Sequence, residues 1–164
     1  MICFGIDPGI GSLGYGVVSQ QGDMMKAIDY GVISTEPGRP VATRLHEIYG
    51  ALRRKMSEHS PDAAAVERLY FGQNRTTAEM VFQARGVALL AAAELGLVPF
   101  EPKPSEVKLA VCGNGAAEKA QVQGMVRHLL NLESIPRPDD AADALAIAIT
   151  GLSLAMYHRQ SRGI

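Results

Sequence analysis

The stretch from Pro138 to Ile149, Pro-Asp-Asp-Ala-Ala-Asp-Ala-Leu-Ala-Ile-Ala-Ile, constrains this chain more than any other. After Asp143 the residues are almost all apolar and good helix formers, with no polar stripe. A helix apolar on every side belongs inside a fold. A carboxylate carried into that interior is costly unless it is paired, hydrogen-bonded or bound to a metal. Asp140 and Asp143 are three residues apart, so they share one helix face. The plain alternative is capping, since acids at a helix start complement its dipole and Pro138 suits a first turn. Capping fits Asp139 better than Asp143, which lies a turn deeper.

A chain of 164 residues suits one domain, 1–164, with a frayed tail expected from about residue 158. Its 47% hydrophobic and 20% charged residues are those of an ordinary soluble protein. No apolar run looks long enough to span a membrane, and no membrane partner is expected. The N-terminus has no basic region ahead of its short apolar run, and Asp7 interrupts that run early. A secretory signal is therefore not expected. Cys3 and Cys112 form no metal or redox motif; two buried free thiols in a reducing cytoplasm are expected. The net charge of −1 does not announce a nucleic-acid binder. Nor does it exclude one, because acids gathered in a metal site would mask basic residues around it.

Taken in order, Ile2 to Ile6 reads as a buried strand ending at Asp7, followed by the tight turn Pro8-Gly9-Ile10-Gly11. Strands are also predicted over Leu13–Ser19 and Met25–Ser34, and short turns make these first three antiparallel neighbours. From Val41 the period becomes helical: Val41, Leu45, Ile48, Leu52 and Met56 form a stripe, and Arg44 falls off it. Ala63 to Val66 is a short apolar run, as a buried parallel strand would be, and it leads into Glu67. Tyr70 to Arg75 reads as a loop. Thr76 and Glu79 offer a capping box for a helix to Leu95, within which Gly86 would allow close approach. A fifth strand is predicted over Val98–Glu101, then helices over Pro104–Cys112, around Val122–Leu130, and from the acidic stretch onward. The result is an α/β fold: a five-stranded mixed sheet with helices on both faces. If the first and fourth strands are adjacent, Asp7 and Glu67 become neighbours at carboxyl ends, where ligands gather. The final helix can then bring Asp140 and Asp143 to meet them.

Four carboxylates converging without matching Lys or Arg cannot all stay ionised in a protein-lined cleft. Two divalent cations solve that problem, and all-oxygen ligation points to Mg²⁺ or Mn²⁺ instead of Zn²⁺. Two ions about 4 Å apart suit in-line displacement at a phosphodiester. Structural caps, or a glycosidase-like acid pair, are the alternatives that spacing leaves open.

Several segments carry a resemblance. They are Gly5-Ile6-Asp7-Pro8-Gly9 with Gly14-Tyr15-Gly16-Val17, Ala65-Val66-Glu67, Gln83-Ala84-Arg85-Gly86-Val87-Ala88, Ala117 to Gln123, and Asp140 to Ala148. In this order, over nearly the whole chain, they resemble the RuvC family of bacterial Holliday junction resolvases, within the ribonuclease H-like superfamily. The resemblance implies a homodimer that cuts two like-polarity strands of a four-way DNA junction, in recombination and repair. It also implies products with 5′-phosphate and 3′-hydroxyl ends, and partnership with the branch-migration proteins RuvA and RuvB. Carried over by position, the catalytic and metal-binding acids are Asp7, Glu67, Asp140 and Asp143, holding two Mg²⁺ (or Mn²⁺) ions. Asp139 falls outside the family pattern and is read as a cap.

The resemblance also marks DNA-facing residues. Tyr70 matches a position where the family usually has Phe, and either Tyr70 or Phe71 could stack on an unpaired base. Both could instead be packing anchors. Lys108 and Lys119 fall on positions that contact the DNA backbone; without the resemblance they read as solvated helix charges. Lys119 also lies at a helix start, where free N–H groups attract phosphate. Arg75, Arg85 and Lys103 are weaker candidates. Three rivals remain. A sugar-kinase or actin-like ATPase shares an Asp-x-Gly hairpin but needs two such domains. A small nuclease acting on RNA ends keeps the first motif and lacks the later block. A binding-only module would have lost an acid, and none is missing.

Overall fold

The apolar run that ends at Asp7 forms a strand, β1 (Ile2–Asp7). Short turns return the chain twice, giving β2 (Ser12–Gln21) and β3 (Met24–Ser34), each antiparallel to its predecessor. Helix α1 (Val41–His59) then crosses over to β4 (Ala63–Val66), which pairs parallel with β1. Helices α2 (Arg75–Glu94), α3 (Pro104–Cys112), α4 (Lys119–Leu129) and α5 (Asp139–Ser161) complete the chain. The computed structural model describes residues 1–70 and 75–161, with backbone only at 75–77.

The sheet has four strands in the order β3-β2-β1-β4, not the five expected. Over Val98–Glu101 only Phe100 forms a bridge, parallel to Ala65. Phe100 N donates to Ala64 O at 2.8 Å, and Phe100 O accepts from Val66 N at 2.9 Å. The next donor in a parallel ladder would be residue 102, a proline with no N–H. Its carbonyl still accepts from Arg68 N at 2.9 Å, so the segment runs along β4 without becoming a strand.

Alternation sorts the sheet's side chains between two cores. Phe4, Ile6, Tyr15, Val17, Ala64 and Val66 pack with Ile48, Leu52 and Met56 of α1 and Ala84, Ala88 and Ala91 of α2. Cys3, Val18, Ala63 and Ala65 face α3, α4 and α5 instead. Burial pushes the Cys3 thiol up, whereas Cys112, expected to be buried, is only partly so. Arg44, off the apolar stripe, is nonetheless buried. Its Nε donates to Thr35 Oγ1 at 2.8 Å, and that hydroxyl donates to Ile10 O at 2.5 Å. The guanidinium thereby ties α1 to the turn that follows Asp7. Among the described residues nothing lies within 4 Å of a Cβ built on Gly86, so the close approach it would allow is not used inside the chain.

Helix α5 is buried around most of its circumference from Ala141 to Leu152. It runs to Ser161, past the expected start of a frayed tail. Among the described residues it is long and apolar enough to cross a membrane, a length the sequence reading missed. Its most apolar window is 67% buried inside the fold, as in a core helix. Glycines of β1 and β2 let its backbone lie directly on the sheet. A Cβ on Gly5 would sit 2.3 Å from Ala144 O, and one on Gly14 2.1 Å from Asp140 O. Any larger residue at either position would lift the helix away from β1 and β2.

Candidate active site

Asp7 is the last residue of β1, and Glu67 directly follows β4. Parallel pairing places Ile6 beside Val66, and Glu67 N donates to Ile6 O at 3.3 Å. The two carboxylates therefore leave the carboxyl ends of adjacent parallel strands. Close packing of α5 at Gly14, the cross-strand partner of Asp7, sets the first turns of that helix beside them. One carboxylate oxygen each from Asp7, Asp140 and Asp143 lies within 4.8 Å of the others. Glu67 joins Asp7 and Asp143 in the wall of a cavity of about 290 Å³, which Lys108 and Lys119 also line. Asp7 and Asp143 belong to both groupings, Asp140 to the first and Glu67 to the second.

The electrostatics are those of a site short of positive charge. Burial, then the nearby carboxylates of Glu67, Asp143 and Asp140, push Asp7 up to about 8, against a smaller opposing pull from Lys119. Glu67 is raised by burial and by Asp143, with Lys108 opposing. Asp143 is raised mainly by burial, although Lys119 hydrogen-bonds to it. Hard oxygen donors this close, partly buried and mutually repelling, fit a divalent cation.

Around the acids, each partner differs in kind. Lys119 Nζ lies 3.1 Å from Asp143 Oδ2 and 3.3 Å from Asp139 Oδ2. Asp139 opens α5 and is also paired with Arg137. It is thus more than the cap read from sequence, because it shares the lysine with a site acid. Glu118 stands at the N-cap of α4, so the start of that helix presents a carboxylate beside its N–H groups. That disfavours the backbone phosphate site expected there. Ser12 Oγ donates to Asp140 Oδ2 at 2.5 Å. Arg85, a weak DNA candidate in the sequence, turns inward: Nε donates to Glu67 O at 2.9 Å, and the guanidinium pairs with Glu101. It braces the end of β4. Ser12 and Arg85 carry no local sequence signal for these roles, since their partners are distant in the chain.

Two of the remaining candidates are exposed to solvent. Tyr70, three residues from Glu67, is 59% exposed and so is not a core anchor. Lys103 is exposed, and its backbone N–H donates to Glu106 Oε2 at 2.7 Å. Phe71 and the side chain of Arg75 lie outside the described residues.

Comparison with known proteins bears on what this centre is. Residues 3–151 match the model of the family described as crossover junction endodeoxyribonuclease RuvC. The chain belongs to the RuvC family. The RuvC of Alkaliphilus metalliredigens (strain QYMF) is 54% identical over 149 residues, 91% of each chain. The structure of Thermus thermophilus RuvC superposes with a TM-score of 0.89 at 37% identity, covering 96% of this chain and 97% of that one. A second structure, T. thermophilus RuvC in complex with Holliday junction substrate, gives a TM-score of 0.87 at 35% identity, covering 96% of each. The α/β architecture described above is therefore the RuvC fold, and the acidic cluster lies in a chain of that nuclease family.

Proposed function

We propose that this chain is a Holliday junction resolvase, an endonuclease that cuts two like-polarity strands symmetrically across a four-way DNA junction. The observation that carries the reading is the convergence of Asp7, Asp140 and Asp143 within 4.8 Å in a RuvC-family chain. A relative with the same fold is described in complex with a Holliday junction substrate. Asp7 and Asp143, common to both groupings of acids, hold the cations, and Glu67 and Asp140 complete the shells and position water. Bound there, two Mg²⁺ (or Mn²⁺) ions supply an activated water and neutralise the leaving oxygen at the phosphodiester.

The other side chains bind and orient the DNA. Lys108 and Lys119, on the cavity wall, draw the scissile phosphate in. Lys119 must change partners to do so, because Asp143 and Asp139 share its ammonium beforehand. Tyr70 stacks on a base freed as the crossover opens, and Phe71 and Arg75, the latter at the start of α2, add to the DNA contacts. The products keep 5′-phosphate and 3′-hydroxyl ends that a ligase can seal. The described residues contain one acidic centre, and two symmetric cuts need two, so the working unit is a homodimer. It acts in the cytoplasm with RuvA and RuvB.

The test uses a synthetic four-way junction and a linear duplex of the same sequences, with and without Mg²⁺. Paired nicks in strands of like polarity are expected on the junction alone and only with Mg²⁺. Asp7→Asn should bind the junction yet leave it intact. Equal cutting of the linear duplex, or normal cutting by Asp7→Asn, rejects the reading.

A further inference from the structure

Two acids of the centre are held by groups of different charge. Asp143 faces the Lys119 ammonium at 3.1 Å, which cancels charge that a cation would otherwise meet. Asp140 faces a hydroxyl, with Ser12 Oγ donating to Oδ2 at 2.5 Å. That separation is at the short end for an O–H···O hydrogen bond. A neutral donor fixes the orientation of a carboxylate while leaving its charge and its second oxygen free. An ammonium fixes it too, but has to be displaced before a cation can bind.

The fold delivers Ser12 to this position. Ser12 opens β2, and Gly14, two residues on, shares its strand face. Gly14 is where the Asp140 backbone lies against the sheet, so the same close approach carries the Asp140 carboxylate to the hydroxyl. The bond joins residues 128 apart in sequence and is partly buried, which limits competition from water.

We infer that Ser12 is a positioning residue of the acidic centre, orienting Asp140 so that its free oxygen meets the cation. The inference rests on the reading of Asp140 as a metal ligand. Hydrogen bonds from outside the ligand set fix ligand direction, and removing one typically lowers metal affinity about 10- to 100-fold.

The experiment measures Mn²⁺ binding to the full chain without DNA, by the loss of the free-ion signal in electron paramagnetic resonance. Ser12→Ala should weaken Mn²⁺ binding about 10-fold or more. Ser12→Thr, which keeps a hydroxyl, should bind close to wild type. In an Asp140→Asn background, Ser12→Ala should add no further loss, because the partner is already changed. Melting in EDTA is followed in parallel, and the serine-to-threonine rescue together with the double variant separates orientation from a general loss of folding. Wild-type affinity in Ser12→Ala, or an undiminished extra loss in the Asp140→Asn background, overturns the role of Ser12 alone. A wild-type chain that binds no Mn²⁺ overturns the metal reading itself, a result distinguishable from both.

Discussion

Burial and three neighbouring carboxylates push the Asp7 carboxyl up to about 8, so without a cation it keeps its proton near neutral pH. In an unfolded chain an aspartate titrates near 3.9. Between those values the folded state holds a proton that the unfolded state lacks, so this group's stabilisation is lost as pH rises from about 4 to about 8. Glu67 and Asp143 are shifted in the same direction. Asp7→Asn should therefore melt above wild type in EDTA, with a gap wider at pH 8 than at pH 5. Roughly 2–4 °C is expected for each kcal/mol relieved. Mg²⁺ should close the gap by raising the wild type; a gap independent of pH would show that Asp7 is not the destabilising charge. Tyr70 poses a different question, because its ring is mostly in solvent. Base stacking on an aromatic is worth about 1–3 kcal/mol, which corresponds to roughly 5- to 150-fold in rate. Tyr70→Ala should slow cutting of an intact junction by that factor, and Tyr70→Phe should not. A junction already unpaired at its centre should restore the alanine variant, with little change in melting temperature. Equal loss on both substrates would remove the stacking role.

The contact between α5 and the sheet is the element on which the centre depends, and Gly14 tests it. A Cβ there would sit 2.1 Å from Asp140 O, a backbone atom that cannot swing aside. Gly14→Ala should cost about 1–3 kcal/mol or more through overpacking. It should also lower cutting about 100-fold, the penalty for a site displaced by about 1 Å. Gly86→Ala is the control: its Cβ meets open space in α2, so a gain of roughly 0.5–1 kcal/mol is expected. Thermal melts and cleavage rates on both variants decide the matter. Much of this architecture is legible in the sequence, because short turns force antiparallel neighbours and an all-apolar helix that opens on three acids packs inside a fold. The fifth strand is not, since an apolar run says nothing about the donor missing at Pro102. Burial of Arg44 is not legible either, because helical period alone puts it with the solvated charges. In the centre, the four acids stand out as charges in apolar surroundings. Ser12 gives no such sign; one hydroxyl on a strand looks like any other until its partner, 128 residues away, is in place.

At the scale of the whole molecule, 16 Lys and Arg against 17 Asp and Glu give no general attraction to DNA. Affinity for a polyanion must come from a few cations near the cleft, held where the acids would otherwise repel the backbone. Lys108 and Lys119 share the cavity wall, yet their circumstances differ. Lys119 is committed to Asp143 and Asp139 at 3.1 and 3.3 Å, whereas Lys108 acts on Glu67 through space without an ion pair at that distance. Each phosphate contact on duplex DNA contributes about 0.9 to the slope of log affinity against log salt. In EDTA, then, Lys108→Ala should reduce that slope by about 0.9. Lys119→Ala should reduce it by less than half as much, because without a metal its ammonium is still held by Asp143 and Asp139 and has not turned to phosphate. The same variant should still lower affinity at every salt concentration, since removing Lys119 uncovers Asp143 and Asp139 to the DNA. Fluorescence anisotropy with a labelled four-way junction between about 50 and 200 mM salt reads both quantities. Equal changes in slope for the two lysines would mean that Lys119 is already free for phosphate. Its pairing with the acids would then be no barrier to binding, and Asp139, the acid outside the family pattern, would have no hold on the reaction.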